Sequence, residues 1–145
     1  MILYVTLGTN DVPAAARFYD AILGPLGYTA TEVSENWAAY GPEYGDGISM
    51  WVCKPFDGHQ MTPGNGTMVA FPAGNAAAVD QFHATAIALG GIDEGPPGPR
   101  PHYGPHFYAA YVRDPDGNKL ACVCYTWNSA AQNAPALASA APSGQ

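Results

Sequence analysis

Charge is scarce in this chain. Only 12% of its 145 residues are Asp, Glu, Lys or Arg, with five basic residues against twelve acidic ones. The formal charge of -7 has the wrong sign for neutralising phosphates along a duplex or for docking on anionic lipid, so neither nucleic acid nor a membrane is an expected partner. Long apolar runs are missing too, and none approaches the roughly 18 residues that a spanning helix needs. Met1 leads straight into Ile2-Leu-Tyr-Val5 with no basic leader segment and no small-residue cleavage site, which makes a cytoplasmic protein the expectation. Cysteine is limited to Cys53, Cys122 and Cys124, an odd number. Cys122 and Cys124 sit two apart in a strand-like run and point the same way, as buried free thiols would. No Ser-His-Asp arrangement, glycine-rich phosphate loop or Cys-x-x-Cys pattern stands at diagnostic spacing, and nucleophilic catalysis has no support.

What is present is turn-forming and apolar: 48% hydrophobic residues, 17 Gly and 14 Pro. This composition fits one turn-rich globular unit, or two small halves sharing a core, rather than a helical bundle. Ile2 to Leu7 is β-rich, and Asn10-Asp11 caps a helix with Pro13 in its first turn and Phe18, Tyr19, Ile22 and Leu23 on its apolar side. Gly24-Pro25 stops it. Three short β-like runs follow, Tyr28 to Val33, Asn36 to Tyr40 and Ile48 to Cys53. From Gly66 the order restarts: a strand over Thr67 to Phe71, a helix capped by Asn75, and Gly90-Gly91 to end it.

An offset of 64 places Val5 on Val69, Phe18 on Phe82 and Gly27 on Gly91. Two βαβββ modules are therefore expected, at 1–56 and 66–125, joined by a linker at 57–65 and followed by an Ala/Ser/Pro-rich tail at 126–145. The fold class is α+β, with the paired modules forming an open, cup-shaped mixed sheet and the helices outside. Strand alternation puts Leu3, Val5, Leu7, Val69 and Phe71 under the helices, and Tyr4, Thr6, Met68 and Ala70 on the open face. The proline-rich stretch Gly95 to Pro105 suits neither helix nor central strand and is expected to be a long loop, the kind of segment that often carries function.

Two motifs make the chain similar to a known superfamily: Val5-Thr-Leu-Gly-Thr-Asn-Asp11 leading into Ala-Arg-Phe-Tyr19, and Val112-Arg-Asp-Pro-Asp-Gly-Asn118 before the last strand. The sequence resembles the vicinal oxygen chelate superfamily of glyoxalases, bleomycin-resistance proteins and extradiol dioxygenases, over nearly all of residues 1 to 125. In metal-dependent members, His or Gln and Glu residues from both modules bind one divalent ion. The resemblance carries those positions onto Tyr4, Trp51, Met68 and Ala121, none of which is a usual ligand. No metal and no cofactor are expected, which removes support for activities that need an ion to polarise a carbonyl or bind dioxygen.

The remaining candidates form a ligand-binding cup. Tyr4, Trp51 and Tyr125 supply aromatic surface, Met68 is an adaptable filler and Ala121 lies on the cup side of its strand, while Arg100, His102, Tyr103 and Tyr108 come from the proline-rich loop. The plain alternative for each is core packing. His83 reads as a helix-surface residue and His59 as a turn residue. The expected function is small-molecule binding of the glyoxalase and bleomycin-resistance type, by sequestration or by a metal-independent reaction. One alternative is a glyoxalase-like lyase or dioxygenase with ligands relocated to His102, His106 or Glu43, and another is a non-catalytic interaction module. A homodimer is expected, with Trp127, Pro135 and Leu137 of the tail packing on the body or on the second copy.

Overall fold

The structure, a computed structural model, describes residues 1–132. Its elements run β1 (Val5–Gly8), α1 (Val12–Leu23), a single 3-10 turn (Gly24–Leu26), β2 (Tyr28–Val33), β3 (Trp37–Pro42) and β4 (Met50–Cys53). The pattern then repeats as β5 (Met68–Pro72), α2 (Ala76–Ala88), β6 (Ile92–Pro99), β7 (Tyr108–Arg113) and β8 (Lys119–Cys124), followed by the short helical turn α3 (Ser129–Gln132). Asp11 and Asn75 cap the two long helices, accepting hydrogen bonds from Ala14 N and Ala78 N. Each cap satisfies an orphan backbone donor, worth about 1 kcal/mol.

The strands form two four-stranded mixed sheets, ordered β1-β4-β3-β2 and β5-β8-β7-β6. In each, the first strand lies parallel to the last and the other pairs are antiparallel. The sheets are not closed into a barrel. The α+β fold with a repeated strand-helix-strand-strand-strand unit is the one the sequence pattern calls for.

One apolar core unites both repeats: Phe18, Tyr19 and Ile22 of α1, Val79 and Phe82 of α2, and the helix-facing sides of both sheets. The two helices pack against each other, and the Tyr28 and Phe71 rings meet across the repeats at 6.2 Å. A polar clasp completes the junction. The turn Asp114–Asn118 reaches the start of α1: Tyr19 donates its hydroxyl to Asp114 Oδ2 at 2.5 Å, Thr9 donates to Asp116 Oδ2 at 2.6 Å, and Asn118 Nδ2 donates to the Gly8 carbonyl at 2.9 Å. The two motifs that carry the family resemblance thus meet in space.

Two expectations need correction. Leu3 is 81% exposed and precedes β1, so it does not lie under a helix. The stretch from Gly95 is not loop from its start: β6 continues to Pro99 as an edge strand paired with β7, with register shifts between Asp93 and Gly95 and between Gly95 and Gly98. Proline lacks an N–H, which bars it from a central strand but not from an edge, where bulges absorb the missing bonds. The loop proper is the shorter connection from Arg100 to Phe107.

Candidate functional site

Side chains alternate in and out of each sheet, so the face away from the helices is where ligand could enter. On the second sheet, Ala109, Ala121 and Val123 make a buried small-residue cluster with Tyr111 beside it. Register fixes this: Tyr111 stands opposite Ala121, and Ala109 opposite Val123. Beside this buried cluster is a cavity of about 650 Å³ whose lining includes Met68, Arg100, His102, Tyr103 and Tyr125, together with Phe107 and Tyr111, which pack on the cluster. Such a volume lies within the range of small-molecule sites.

The wall is a row of rings. His102 and Tyr103 have centroids 4.1 Å apart, and Phe107 lies 5.2 Å from both Tyr103 and Tyr125. The loop that carries them is closed by backbone bonds from Arg100 N to Phe107 O and from Tyr103 N to Arg100 O. Tyr103 and Tyr125 nonetheless remain 64% and 69% exposed, presenting aromatic surface to solvent. Burial pushes the Tyr111 hydroxyl pKa up, and the nearby Arg100 charge opposes that shift. Tyr111 is therefore a neutral phenol at physiological pH.

The first sheet presents a separate aromatic face. Trp51 lies 6.3 Å from Tyr4 and 6.4 Å from Trp37, and these rings line a cavity of about 310 Å³ with Thr6 and Cys53. A cavity of about 610 Å³ shares Thr6, Trp37 and Cys53 with it and is walled by Phe56, which ends the first module, and by Met61 of the linker. The linker sits tightly there because Gly8 has no side chain: a Cβ on Gly8 would lie 3.0 Å from Met61 Cβ. Burial pushes the Cys53 thiol pKa up, keeping it protonated and weakly nucleophilic.

The expected site residues are thus distributed. Met68, Arg100, His102, Tyr103 and Tyr125 come together at the second-sheet cavity and Tyr4 and Trp51 line the first-sheet one, while Ala121 is fully buried and lines neither. Tyr108 belongs to neither face. It is buried on the helix side, stacks near Trp127 at 5.9 Å and donates to Asp80 Oδ1 at 2.6 Å. Burial and that bond push its pKa up to about 12. Trp37, Phe107, Tyr111 and Lys119 are lining residues that the sequence reading passes over. Strand register identifies three of them, since Trp37 stands opposite Cys53, Tyr111 opposite Ala121 and Lys119 opposite Met68.

Comparison with known proteins now adds to this geometry. The profile of the Glyoxalase/Bleomycin resistance protein/Dioxygenase superfamily matches residues 1–122. The chain belongs to this superfamily. A solved glyoxalase/bleomycin resistance protein from Albidiferax ferrireducens is 36% identical, with a TM-score of 0.74 over 86% of this chain and 98% of that one. A glyoxalase-related enzyme from Fulvimarina pelagi shares the fold at 23% identity and a TM-score of 0.67, covering 86% of this chain and 88% of that one. Lactoylglutathione lyase from Agrobacterium tumefaciens does so at 20% and 0.59, covering 86% and 92%. No curated protein matches the chain.

The side chains at the four positions onto which the resemblance carries the superfamily's ligands are poor donors for a divalent ion, and Tyr4 offers only a neutral phenol. Ala121 has no donor atom, the Trp51 indole nitrogen only donates hydrogen bonds, and Met68 offers a soft thioether. Among the described residues, no group of three or more His, Cys, Asp or Glu side chains is placed to hold a metal. Nor are the alternative ligands gathered: His106 Nδ1 bonds the Trp127 carbonyl at 2.8 Å, His102 stacks on Tyr103, and Glu43 is exposed between β3 and β4. His83 pairs with Asp93 and His59 with Asp57, and neither histidine lines these cavities.

Within the tail, Trp127 packs against the core beside Tyr108, while Pro135 and Leu137 lie outside the described residues. No helix among the described residues is long and apolar enough to cross a membrane.

Proposed function

We propose that this superfamily member binds a small organic molecule on the open face of its second sheet, without a divalent ion, and acts by sequestration or a metal-independent reaction. The observation that supports this is the cavity of about 650 Å³ bounded by an aromatic loop, with Phe107 and Tyr111 of its lining packed on small buried residues of the sheet. A filled core would not leave Met68, Tyr103 and Tyr125 exposed together at one cavity. Binding here rests on aromatic contact and burial, the work that stacked rings and a flexible thioether do well.

A thermal-shift screen of a small-molecule library tests the reading, because a compound that binds only the native state raises the apparent melting temperature. The expected outcome is a set of stabilising compounds whose shifts persist in EDTA and disappear in Met68→Trp, which fills the cavity. Met68 is 44% exposed, so this substitution leaves the core intact. Shifts that require added metal, or that survive Met68→Trp unchanged, would overturn the proposal.

We also propose that the chain forms a homodimer that covers part of its exposed apolar surface, including Ile2, Leu3 and Tyr4 at the open edge of the first sheet. Light scattering should give twice the 15.1 kDa chain mass. A monomer at all concentrations contradicts it.

A further inference from the structure

We infer that the second-sheet cavity selects a small planar aromatic carboxylate, with Arg100 and Lys119 supplying the charge that recognises it. The inference rests on the binding site proposed above and specifies the chemical class of its occupant.

The starting point is how Arg100 is held. Its Nη1 donates to the Gly98 carbonyl at 2.8 Å and to the Pro99 carbonyl at 3.3 Å, and its Nη2 donates to the Pro96 carbonyl at 2.7 Å. The Gly- and Pro-rich edge strand is shaped for this. A Cβ on Gly98 would lie 3.1 Å from Nη1, and one on Gly95 would lie 3.4 Å from Nη2 and 2.8 Å from the Tyr111 ring. A side chain at Gly98 would crowd the guanidinium, and one at Gly95 would press into the Tyr111 ring beside it. All three anchors are neutral carbonyls, so they fix the group in place without cancelling its charge. Nε–H and one Nη2–H have no acceptor among the described residues, leaving donors for a carboxylate.

Lys119 is the second cation. Its ammonium lies 5.8 Å from the Tyr111 centroid, and the Arg100 guanidinium carbon lies 5.5 Å from the same centroid. No carboxylate among the described residues pairs with either. The acidic group that lines the cavity, Glu94, is held by Arg113 Nε at 2.7 Å, and that pair is neutral as a whole. The cavity therefore carries excess positive charge in a chain whose formal charge is -7 and which has only five basic residues. Both cations are partly buried, where an opposite charge is felt more strongly than in bulk water. The rings of Tyr103, Phe107 and Tyr125 supply the complementary platform for a flat, apolar body. Two cations beside an aromatic wall match a molecule with a planar ring system at one end and a carboxylate at the other.

The test uses three naphthalene probes of nearly equal size: naphthoate, naphthalenemethanol and naphthylmethylammonium, titrated by calorimetry into the full chain. Naphthoate should bind about tenfold more tightly than the alcohol, and the ammonium most weakly. Arg100→Gln and Lys119→Gln should each weaken naphthoate by about five- to tenfold while changing the alcohol by less than about twofold. Lys119 is a strand residue with a partly exposed side chain, so its variant carries the test even if Arg100→Gln disturbs the edge strand. Arg100→Lys, which keeps charge and loses the fork, should give an intermediate loss. Equal affinity for naphthoate and the alcohol, or a preference that survives both Gln variants, overturns the inference. If the alcohol binds in the cavity without a charge preference, the carboxylate assignment fails and the binding site stands. If neither probe binds and the library screen also yields nothing, both fail.

Discussion

Asp114→Ala should lower the unfolding free energy by about 3–5 kcal/mol, read by urea denaturation, because it strands several donors in the interior at about 1–3 kcal/mol each. Asp114 is only 2% exposed and accepts from the Tyr19 hydroxyl, from Asn118 N and Nδ2, and from Asp116 N. The loss is larger than that of an ordinary turn residue because Tyr19 belongs to α1 of the other repeat, itself buried and left without an acceptor. Burial pushes the Asp114 carboxyl pKa up, against the bonds from Tyr19 and Asn118 that pull it down. A carboxyl whose pKa is raised on folding binds its proton more tightly in the native state. Its contribution to stability is fully present below the unfolded value of about 3.9 and is lost as pH rises through the folded value. The stability of the native sequence relative to Asp114→Asn should therefore rise as pH falls from about 7 toward about 4. A difference that shrinks over that window contradicts the assignment.

The second large effect lies in the shared core. Phe82→Ala should destabilise by about 3–5 kcal/mol, from lost burial plus the cavity left behind. Phe82 is 2% exposed on α2 and meets Phe71 at 6.3 Å, and Phe71 in turn meets Tyr28 of the first repeat. Unfolding should remain a single transition, because the core is continuous between repeats. Phe56→Ala provides the contrast: that ring is fully exposed after β4, and its loss should change stability by less than about 0.5 kcal/mol. Two separate transitions in either variant would show that the repeats fold independently.

Much of this architecture was legible in the sequence because local signals and periodicity agree. Asp11 and Asn75 announce the helix starts, Gly24-Pro25 and Gly90-Gly91 the stops, and both caps appear in the structure. The open-face assignment of Thr6, Met68 and Ala70 follows from alternation alone, and all three are exposed. Three features were harder to read. Leu3 shares the parity of Val5, but parity has meaning only inside a paired strand, and pairing starts at Val5. Prolines in β6 mark an edge rather than an absence of strand, a distinction that depends on which neighbours the sheet gives it. Tyr108 reads as a loop residue by its proximity to Pro105, yet alternation counted back from Val112 places it under α2, with Asp80 as its partner.

The site was legible in parts for the same reason. Ring-bearing residues near the loop could be named, but their convergence depends on long-range register. Lys119 opposite Met68, and Tyr111 opposite Ala121, become neighbours only when β5, β7 and β8 are aligned. The anchoring of Arg100 has no motif at all; its guanidinium is held by the Pro96, Gly98 and Pro99 carbonyls, beside a Gly98 that leaves it room.

The central claim is that a small molecule occupies the second-sheet cavity, and the methionines report on it directly. Met68 lines that cavity, Met61 walls the first-sheet cavity, and Met50 is buried in the core. Carbon-13 labelling of the methionine methyl groups and titration with the strongest stabilising compound should shift the Met68 signal in a saturable way, while the Met50 and Met61 signals stay in place. A saturable shift of Met61 with Met68 unmoved would place binding on the other sheet and contradict the account.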